Sequence, residues 1–330
     1  MGAEDIGERC NGSGSQKTAG AIVRADVFDA MKTAMWSKGY IAVDWGTTNR
    51  RAYRVPVVGG AHDAEFEDGK GITGVAEGGF PAAVAEIRER LGDFPLLMAG
   101  MVGSNRGWVE APYVACPAGA DALAAGLVEL ADERAAIVPG LSFSDEHRAD
   151  VMRGEEVQLF GAVAAGLIGA DGTVCHPGTH NNWAELRGGT VTAFRTVMTG
   201  EMFNLLKEQS ILSQWLGGEV TAGPAFRRGV RRGLNGAALT AELFSVRAGV
   251  LLGKLAAEDA ADFTSGLLIG ADVATGLGSG EPVGELVVMG RPELTRLYVA
   301  ALTEAGREAR EVDGEQAFLA GIAAIVERSE

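Results

Sequence analysis

Apolar residues fall in short blocks divided by glycine-rich turns, and the period of the blocks changes along the chain. Residues 40–44 are a short apolar run that stops at Trp45-Gly46-Thr47-Thr48, and 51–58 alternate, so the pair reads as a strand and its hairpin partner. Helical spacing with proline at the start marks 81–91. A buried strand is predicted over 95–102, a helix over 121–131, a strand over 135–138 and a buried helix of small apolar residues over 154–169. Residues 173–177 form a strand that ends in a second Gly-Thr turn, and 183–186 and 190–196 pair around Gly188-Gly189. Helices are predicted near 201–212, 238–257 and 264–276. Strand 285–289, helix 292–306, strand 309–312 and helix 315–327 close the chain. Strands mixed in this way with helices make an α/β protein.

The two Gly-Thr turns suggest an internal repeat. Val43-Asp44-Trp45-Gly46-Thr47 and Cys175-His176-Pro177-Gly178-Thr179 each end a strand and are each followed by a strand of hairpin character, about one domain apart. Two related halves facing each other across a cleft fit this pattern. The first 38 residues do not: Asn11-Gly12-Ser13-Gly14-Ser15-Gln16 has a flexible-linker composition, and 23–36 could form a short helix. The chain therefore divides into an N-terminal extension over 1–38, with the composition of a disordered segment and no expected catalytic part, and domains over 39–150 and 151–330.

A length of 330 residues independently favours two domains. Composition, at 47% hydrophobic and 22% charged, excludes bulk disorder and fibre. The net charge of −15 argues against nucleic-acid or anionic-membrane partners, while a locally basic pocket for a small anion stays open. Cys10, Cys116 and Cys175 form no CxxC pair, and His62, His147, His176 and His180 have no zinc spacing. Sparse cysteines, the absence of a basic-then-apolar leader pattern and an apolar run over 159–170 too short for a bilayer together predict a cytoplasmic protein.

Six segments could carry chemistry. Asp44-Trp45-Gly46-Thr47-Thr48-Asn49 puts an acid at a strand end, then a glycine and hydroxyls, which suits Mg²⁺ and phosphates or a plain hairpin turn. Gly154-Glu155-Glu156-Val157-Gln158 puts two carboxylates at the entrance of a buried helix, as a general base or as charges favouring the helix dipole. Pro177-Gly178-Thr179-His180-Asn181-Asn182-Trp183 is a donor-rich turn. The loop over 100–113 offers Ser104, Asn105 and Arg106 to hydroxyls and a carboxylate, or is a tight surface loop holding a tryptophan. Met198-Thr199-Gly200-Glu201 opens a helix, and Met289-Gly290-Arg291-Pro292 is a turn suited to a nucleotide base or sugar, or an ordinary strand-to-helix turn. Neither GxxxxGK[ST] nor GxGxxG occurs, which removes the main support for P-loop and Rossmann readings.

In this order the segments resemble the sugar-kinase, Hsp70 and actin superfamily, and more narrowly the 2-dehydro-3-deoxygalactonokinase family. The resemblance runs from about residue 40 to 326 and is carried by 43–49, 100–112 (GMVGSNRGWVEAP), 152–158 (MRGEEVQ), 177–180 and 198–203 (MTGEMF). It implies two ribonuclease-H-like domains in an actin-like ATPase fold, with an interdomain ATP cleft. The implied activity is transfer from ATP, with Mg²⁺, to the C6 hydroxyl of 2-dehydro-3-deoxy-D-galactonate. Asp44 is implied to orient Mg²⁺. Gly46, Thr47 and Thr48 form the first phosphate loop, Gly178 and Thr179 the second. Glu155 is the base, with Glu156 as the alternative. Gly290 and Arg291 hold adenosine, with Gly270 and Ala271 nearby. Asn49, Ser104, Asn105, Trp108, Glu110 and Glu201 are implied substrate contacts. Partners are the sugar acid and ATP, with neither nucleic acid nor membrane, and a homodimer is allowed. The chain departs from the pattern at Asn181-Asn182, where Ser-Lys is expected; loss of a lysine there would remove charge beside the phosphates. The alternatives are a kinase for another sugar acid such as 2-dehydro-3-deoxygluconate, a non-catalytic ATP or sugar-acid binder, and, more remotely, an actin-like assembly protein.

Overall fold

A computed structural model describes residues 35–236, 238–278 and 282–329. The expected extension therefore lies outside the described residues up to 34. Its last part is not loose: Trp36 is buried, edge-on to Tyr40 at 6.3 Å.

Strands β1 (Tyr40–Trp45), β2 (Arg50–Val55) and β3 (Ala64–Asp68) form an antiparallel meander. Helix α1 (Phe80–Leu91) leads to β4 (Leu96–Ala99), parallel to β1. The chain continues through β5 (Tyr113–Ala115), α2 (Ala120–Ala125) and β6 (Val128–Leu130) to β7 (Ala135–Ile137), parallel to β4. The sheet order is β3-β2-β1-β4-β7-β6. Strands β8 (Gly140–Ser144) and β9 (Ala149–Met152) join β5 in a small second sheet, and β9 runs into α3 (Glu155–Ala164).

The plan then repeats. A meander of β10 (Gly172–His176), β11 (Asn181–Arg187) and β12 (Thr190–Val197) is followed by α4 (Thr199–Gln209), α5 (Pro224–Leu234), α6 (Leu239–Leu251) and α7 (Ala260–Leu277). Then come β13 (Glu285–Gly290), α8 (Pro292–Glu304), β14 (Arg310–Asp313) and α9 (Gly314–Ser329). With β13 parallel to β10 and β14 parallel to β13, the order is β12-β11-β10-β13-β14. Both large sheets thus share a three-strand meander extended by two parallel strands, with β6 added antiparallel at the edge of the first; this is the ribonuclease-H-like plan, and the two Gly-Thr turns follow the equivalent strands β1 and β10.

Helices α3 and α9 end the two repeats and cross with their backbones in contact. A Cβ at Gly161 would lie 1.9 Å from the Ala317 carbonyl oxygen, and one at Gly321 2.0 Å from that of Val157. One apolar cluster holds Leu97, Leu159, Phe160, Val174, Val287, Ile322 and Ile325, so the core runs between the sheets through this crossing. Glycines also line the α5–α7 crossing: a Cβ at Gly266 would meet the Phe226 carbonyl at 2.1 Å and one at Gly270 that of Val230 at 2.3 Å. Gly270, expected beside the nucleotide, is therefore part of a helix seam.

Other expectations are corrected. The helix over 121–131 stops at Gly126, because Val128 to Leu130 pair with β7 (Val128 opposite Ile137), and strand pairing overrides their place in a helical pattern. The helix over 154–169 ends at Ala164, with Gly166 in the left-handed region at φ +66°. Strand β3, the β5-β8-β9 sheet and helix α5 were not anticipated. Among the described residues no helix is long and apolar enough to cross a membrane.

Candidate active site

Three backbone segments meet without an intervening side chain. Asp44 and Trp45 end β1, Gly100 follows β4, and Gly154 precedes α3. Gly100 has φ +93°, and a Cβ there would lie 2.9 Å from the Trp45 carbonyl oxygen and 3.5 Å from Asp44 Oδ1. Gly154 has φ +110°, and its Cβ would lie 3.2 Å from Gly100 Cα. Only glycine adopts such backbone freely, so the junction brings the Asp44 carboxyl beside the N-terminus of α3.

The first turn of α3 separates its two acids. Glu156 is fully buried, and both its oxygens accept the Gly154 N–H, at 2.9 and 2.7 Å. Burial, then the Glu155 charge, push it up to about 8. Glu155 stays partly exposed and accepts the Arg153 N–H at 3.1 Å. Burial pushes it up to about 7; backbone N–H groups and His180 oppose this, and the Asp44 charge adds to it. Asp44 is itself raised by burial against the pull of Arg51 and Arg291. The acids and His180 therefore share one electrostatic environment.

The first phosphate-loop candidate is a braced turn. The Gly46 N–H donates to Asn49 O at 2.9 Å, while Ile72 N–H and the Thr73 hydroxyl donate to Gly46 O and Thr47 O at 3.0 and 2.9 Å. Thr47, Thr48 and Asn49 remain exposed. The second candidate, Gly178 and Thr179, rests on the start of α4: a Cβ at Gly200 would lie 2.4 Å from Gly178 O, and the Glu201 N–H donates to Thr179 O at 2.9 Å. His180 Nε2 and Glu201 Oε2 are 2.6 Å apart.

Asp272 of α7 anchors this second loop from below. Its carboxylate accepts Asn181 Nδ2 (2.9 and 3.0 Å), Trp183 Nε1 (2.8 Å), the Thr199 hydroxyl (2.6 Å) and the Tyr298 hydroxyl. Asn182 is also buried, and its Oδ1 accepts the Thr196 hydroxyl at 2.9 Å. Asn181 and Asn182 are thus spent on strand and helix packing. Beside them His176 donates through Nε2 to Gln158 Oε1 at 2.9 Å, and burial lowers its pKa to about 4, leaving it neutral.

Gly290, with φ +152°, lies against Pro177 and Gly314, so the Gly290-Arg291 turn adjoins the second loop. Arg291 reaches Glu67 of β3 at 3.3 Å, linking the two halves, and Arg51 lies 3.1 Å from the same carboxylate. Arg51 is opposite Asp44 in the β1–β2 register. It was not singled out from the sequence, although strict alternation in a hairpin would have placed it there.

Asp44, Gly46 to Asn49, Glu155, Gly178, Thr179, Glu201, Gly290 and Arg291 are thus brought into one region. The 100–112 loop behaves differently in part. The Ser104 hydroxyl, in a residue only 6% exposed, donates to Met101 O (2.8 Å) and accepts the Arg106 N–H (3.2 Å). Trp108 stacks on Phe80 at 5.8 Å. Both side chains brace the loop, and Trp108 is only partly buried. Asn105 and Glu110 stay exposed on it.

Among the described residues no group of three or more His, Cys, Asp or Glu forms a metal cage. A single carboxylate beside two glycine-hydroxyl turns nevertheless suits Mg²⁺, which is ordinarily held by one or two carboxylates together with substrate phosphates.

Known proteins resemble this chain over most of its length. The family described as 2-keto-3-deoxy-galactonokinase matches residues 44–325. The chain is 39% identical over 289 residues to the 2-dehydro-3-deoxygalactonokinase of Escherichia coli (strain K12), covering 87% of this chain and 97% of that one. It is 38% identical to a Rhizobium meliloti (strain 1021) protein named as the probable 2-dehydro-3-deoxygalactonokinase DgoK1, covering 86% and 95%. A crystal structure from Sinorhizobium meliloti, provisionally described as a 2-dehydro-3-deoxygalactonokinase, superposes with a TM-score of 0.80 at 39% identity, covering 87% and 97%.

Proposed function

Because the chain belongs to the 2-keto-3-deoxy-galactonokinase family, we propose that it transfers the γ-phosphoryl group of ATP to the C6 hydroxyl of 2-dehydro-3-deoxy-D-galactonate. The products are ADP and 2-dehydro-3-deoxy-6-phosphogalactonate. The observation that carries this reading is the contrast between the paired acids of α3. Glu156 turns back onto Gly154, whereas Glu155 stays partly exposed and feels the charges of Asp44 and His180.

Glu155 is the base. Its raised pKa lets it take the O6 proton as the oxygen attacks phosphorus, the bond to the ADP oxygen breaking in line. The turns at 46–48 and 178–179 supply N–H and hydroxyl donors to the phosphates, and Arg51 adds a cation opposite Asp44. Gly290 and Arg291 seat the adenosine. Asn49, Asn105, Glu110 and Glu201 face the sugar acid. Asp44 would hold Mg²⁺, which neutralises phosphate charge when bound. We divide the chain at about residue 150, so that the nucleotide lies between the halves and their closure excludes water. The reaction takes place in the cytoplasm, a setting supported by the unpaired Cys116 and Cys175.

Coupled ADP release with ATP, Mg²⁺ and the galactonate compound tests this, beside its gluconate epimer and a blank. Release that requires the galactonate compound is expected. Release with the epimer alone would reassign the substrate. ATP binding without release would turn the reading to a non-catalytic binder.

A further inference from the structure

Two arginines near this site are buried, and their surroundings differ. Arg50, at 0% exposure, donates to Asp68 at 3.0 and 3.1 Å, to Glu86 at 3.0 Å and to Ala83 O at 3.3 Å. Arg153, at 8% exposure, makes one such side-chain bond, from Nη2 to Ala111 O at 2.7 Å. Its Nε and Nη1 are buried without a hydrogen-bond partner among the described residues. The Tyr113 ring covers the guanidinium with Cζ 4.3 Å from the ring centre, and a Cβ at Gly103 would stand 3.1 Å from Nη1. Glu156 feels the Arg153 charge but has both oxygens turned to Gly154. A guanidinium cannot shed its proton, so these N–H groups cost free energy until an acceptor arrives. An anionic acceptor brought to the site from outside the chain would satisfy them.

We propose that Arg153 recognises the carboxylate of the sugar acid, a specificity role that rests on the kinase reading above. Its own N–H holds Glu155 at 3.1 Å, so base and guanidinium are fixed to each other across a single turn. The reacting hydroxyl and the carboxylate are at opposite ends of the substrate, and Glu155 and Arg153 would hold one end each. The 100–112 loop supplies the cover, through Gly103 and Ala111. Tyr113, 40% exposed, is the part of that cover open to solvent. The carboxylate enters on this side, moves the ring and accepts from the free N–H groups, while Nη2 keeps its bond to Ala111.

The test compares the acid with its C1-hydroxymethyl analogue, a 3-deoxyhexulose, in wild type, Arg153→Gln and Arg153→Lys. For Arg153→Gln, kcat/KM for the acid should fall roughly a hundredfold, as for loss of one partner of a buried charged pair. Turnover of the analogue and KM for ATP should stay within about threefold, because neither uses the carboxylate contact. Arg153→Lys should recover part of the loss. Removing an unpaired buried charge should not weaken the fold, so Arg153→Met without ligand should melt at or above the wild-type temperature. It should also lose the rise in melting temperature that the acid gives wild type. Equal losses on acid and analogue, or a lowered melting temperature with the acid-induced rise kept, would make Arg153 a brace for the loop and overturn the proposal. If wild type does not turn over the acid, the kinase reading fails first, and the melting shift alone decides Arg153. No shift in wild type would then overturn both.

Discussion

Exchanging each acid of α3 for its amide separates a base from a structural partner. At its pKa of about 7, Glu155 is half ionised at pH 7 and about one-tenth ionised at pH 6. Because the carboxylate is the active form, kcat/KM should be full above pH 8 and fall toward tenfold per unit below pH 6. Glu155→Gln removes the acceptor and should cut kcat by roughly 10²- to 10⁴-fold, the usual contribution of a general base. Glu156, at about 8, is mostly protonated at pH 7, and its amide can still accept the Gly154 N–H. Glu156→Gln should therefore leave kcat within about threefold. It should also change stability in a defined direction. The folded pKa lies above the unfolded value of 4.5, so Glu156 makes wild type lose stability as pH rises from about 4.5 through 8; the amide removes this share of the slope, while Glu155 keeps its own up to about pH 7. Stopped coupled assays from pH 5.5 to 8.5, with urea unfolding at pH 6 and 8, read both effects. A flat rate profile, or a larger loss of kcat in Glu156→Gln than in Glu155→Gln, would refute the assignment.

Other predictions concern the metal, the helix crossing and the buried hub. Asp44→Asn should lower kcat roughly a hundredfold and weaken ATP binding with Mg²⁺ while leaving binding of metal-free ATP unchanged, as titration calorimetry would show; equal weakening in both would remove Asp44 from the metal role. Gly161→Ala sets a Cβ 1.9 Å from Ala317 O, and the overpacking should cost about 1–3 kcal/mol, lowering the melting temperature by roughly 3–10 °C. An unchanged melting temperature would mean that the helices do not touch there. Asp272→Leu strands the donors of Asn181, Trp183, Thr199 and Tyr298 and should cost about 4 kcal/mol or more in urea unfolding, with Asp272→Asn less damaging because one oxygen remains. Equal effects of the two would show that the hub does not depend on that oxygen.

The sequence disclosed what depends on short range. Strand, Gly-Thr turn and hairpin partner are contiguous, so β1–β2 and β10–β11 were readable, and their recurrence pointed to the repeated sheet plan. Helices α1, α8 and α9 carried their own spacing and, for the first two, an opening proline. The small β5-β8-β9 sheet was not readable. Its strands have three to five residues each, and β5 pairs with β8 across an intervening helix and two strands. That sheet sets Tyr113 over Arg153 and delivers the chain into Glu155. The least legible segment therefore positions the acid proposed as the base.

Polar residues were misread for a related reason: a motif shows which side chains are near a site but not which way they turn. Asn181 and Asn182 look like substitutions beside the phosphates, yet β11 buries both, and Asp272, ninety-one residues away in sequence, takes up Asn181. Ser104 looks like a free hydroxyl, yet its loop closes on it. Arg153 stands beside the conspicuous glycine and glutamates of 152–158 but carries no assigned role in the sequence. In the fold Glu155 and Glu156 take backbone N–H groups, which leaves the guanidinium buried with capacity to spare. The same two acids thereby avoid an ion pair that would hold their pKa values down, and burial is free to raise Glu155 into the range a base requires. If Glu155 is the base and Arg153 the carboxylate anchor, as proposed, turning the acids away from Arg153 serves proton transfer at one end of the substrate and carboxylate recognition at the other.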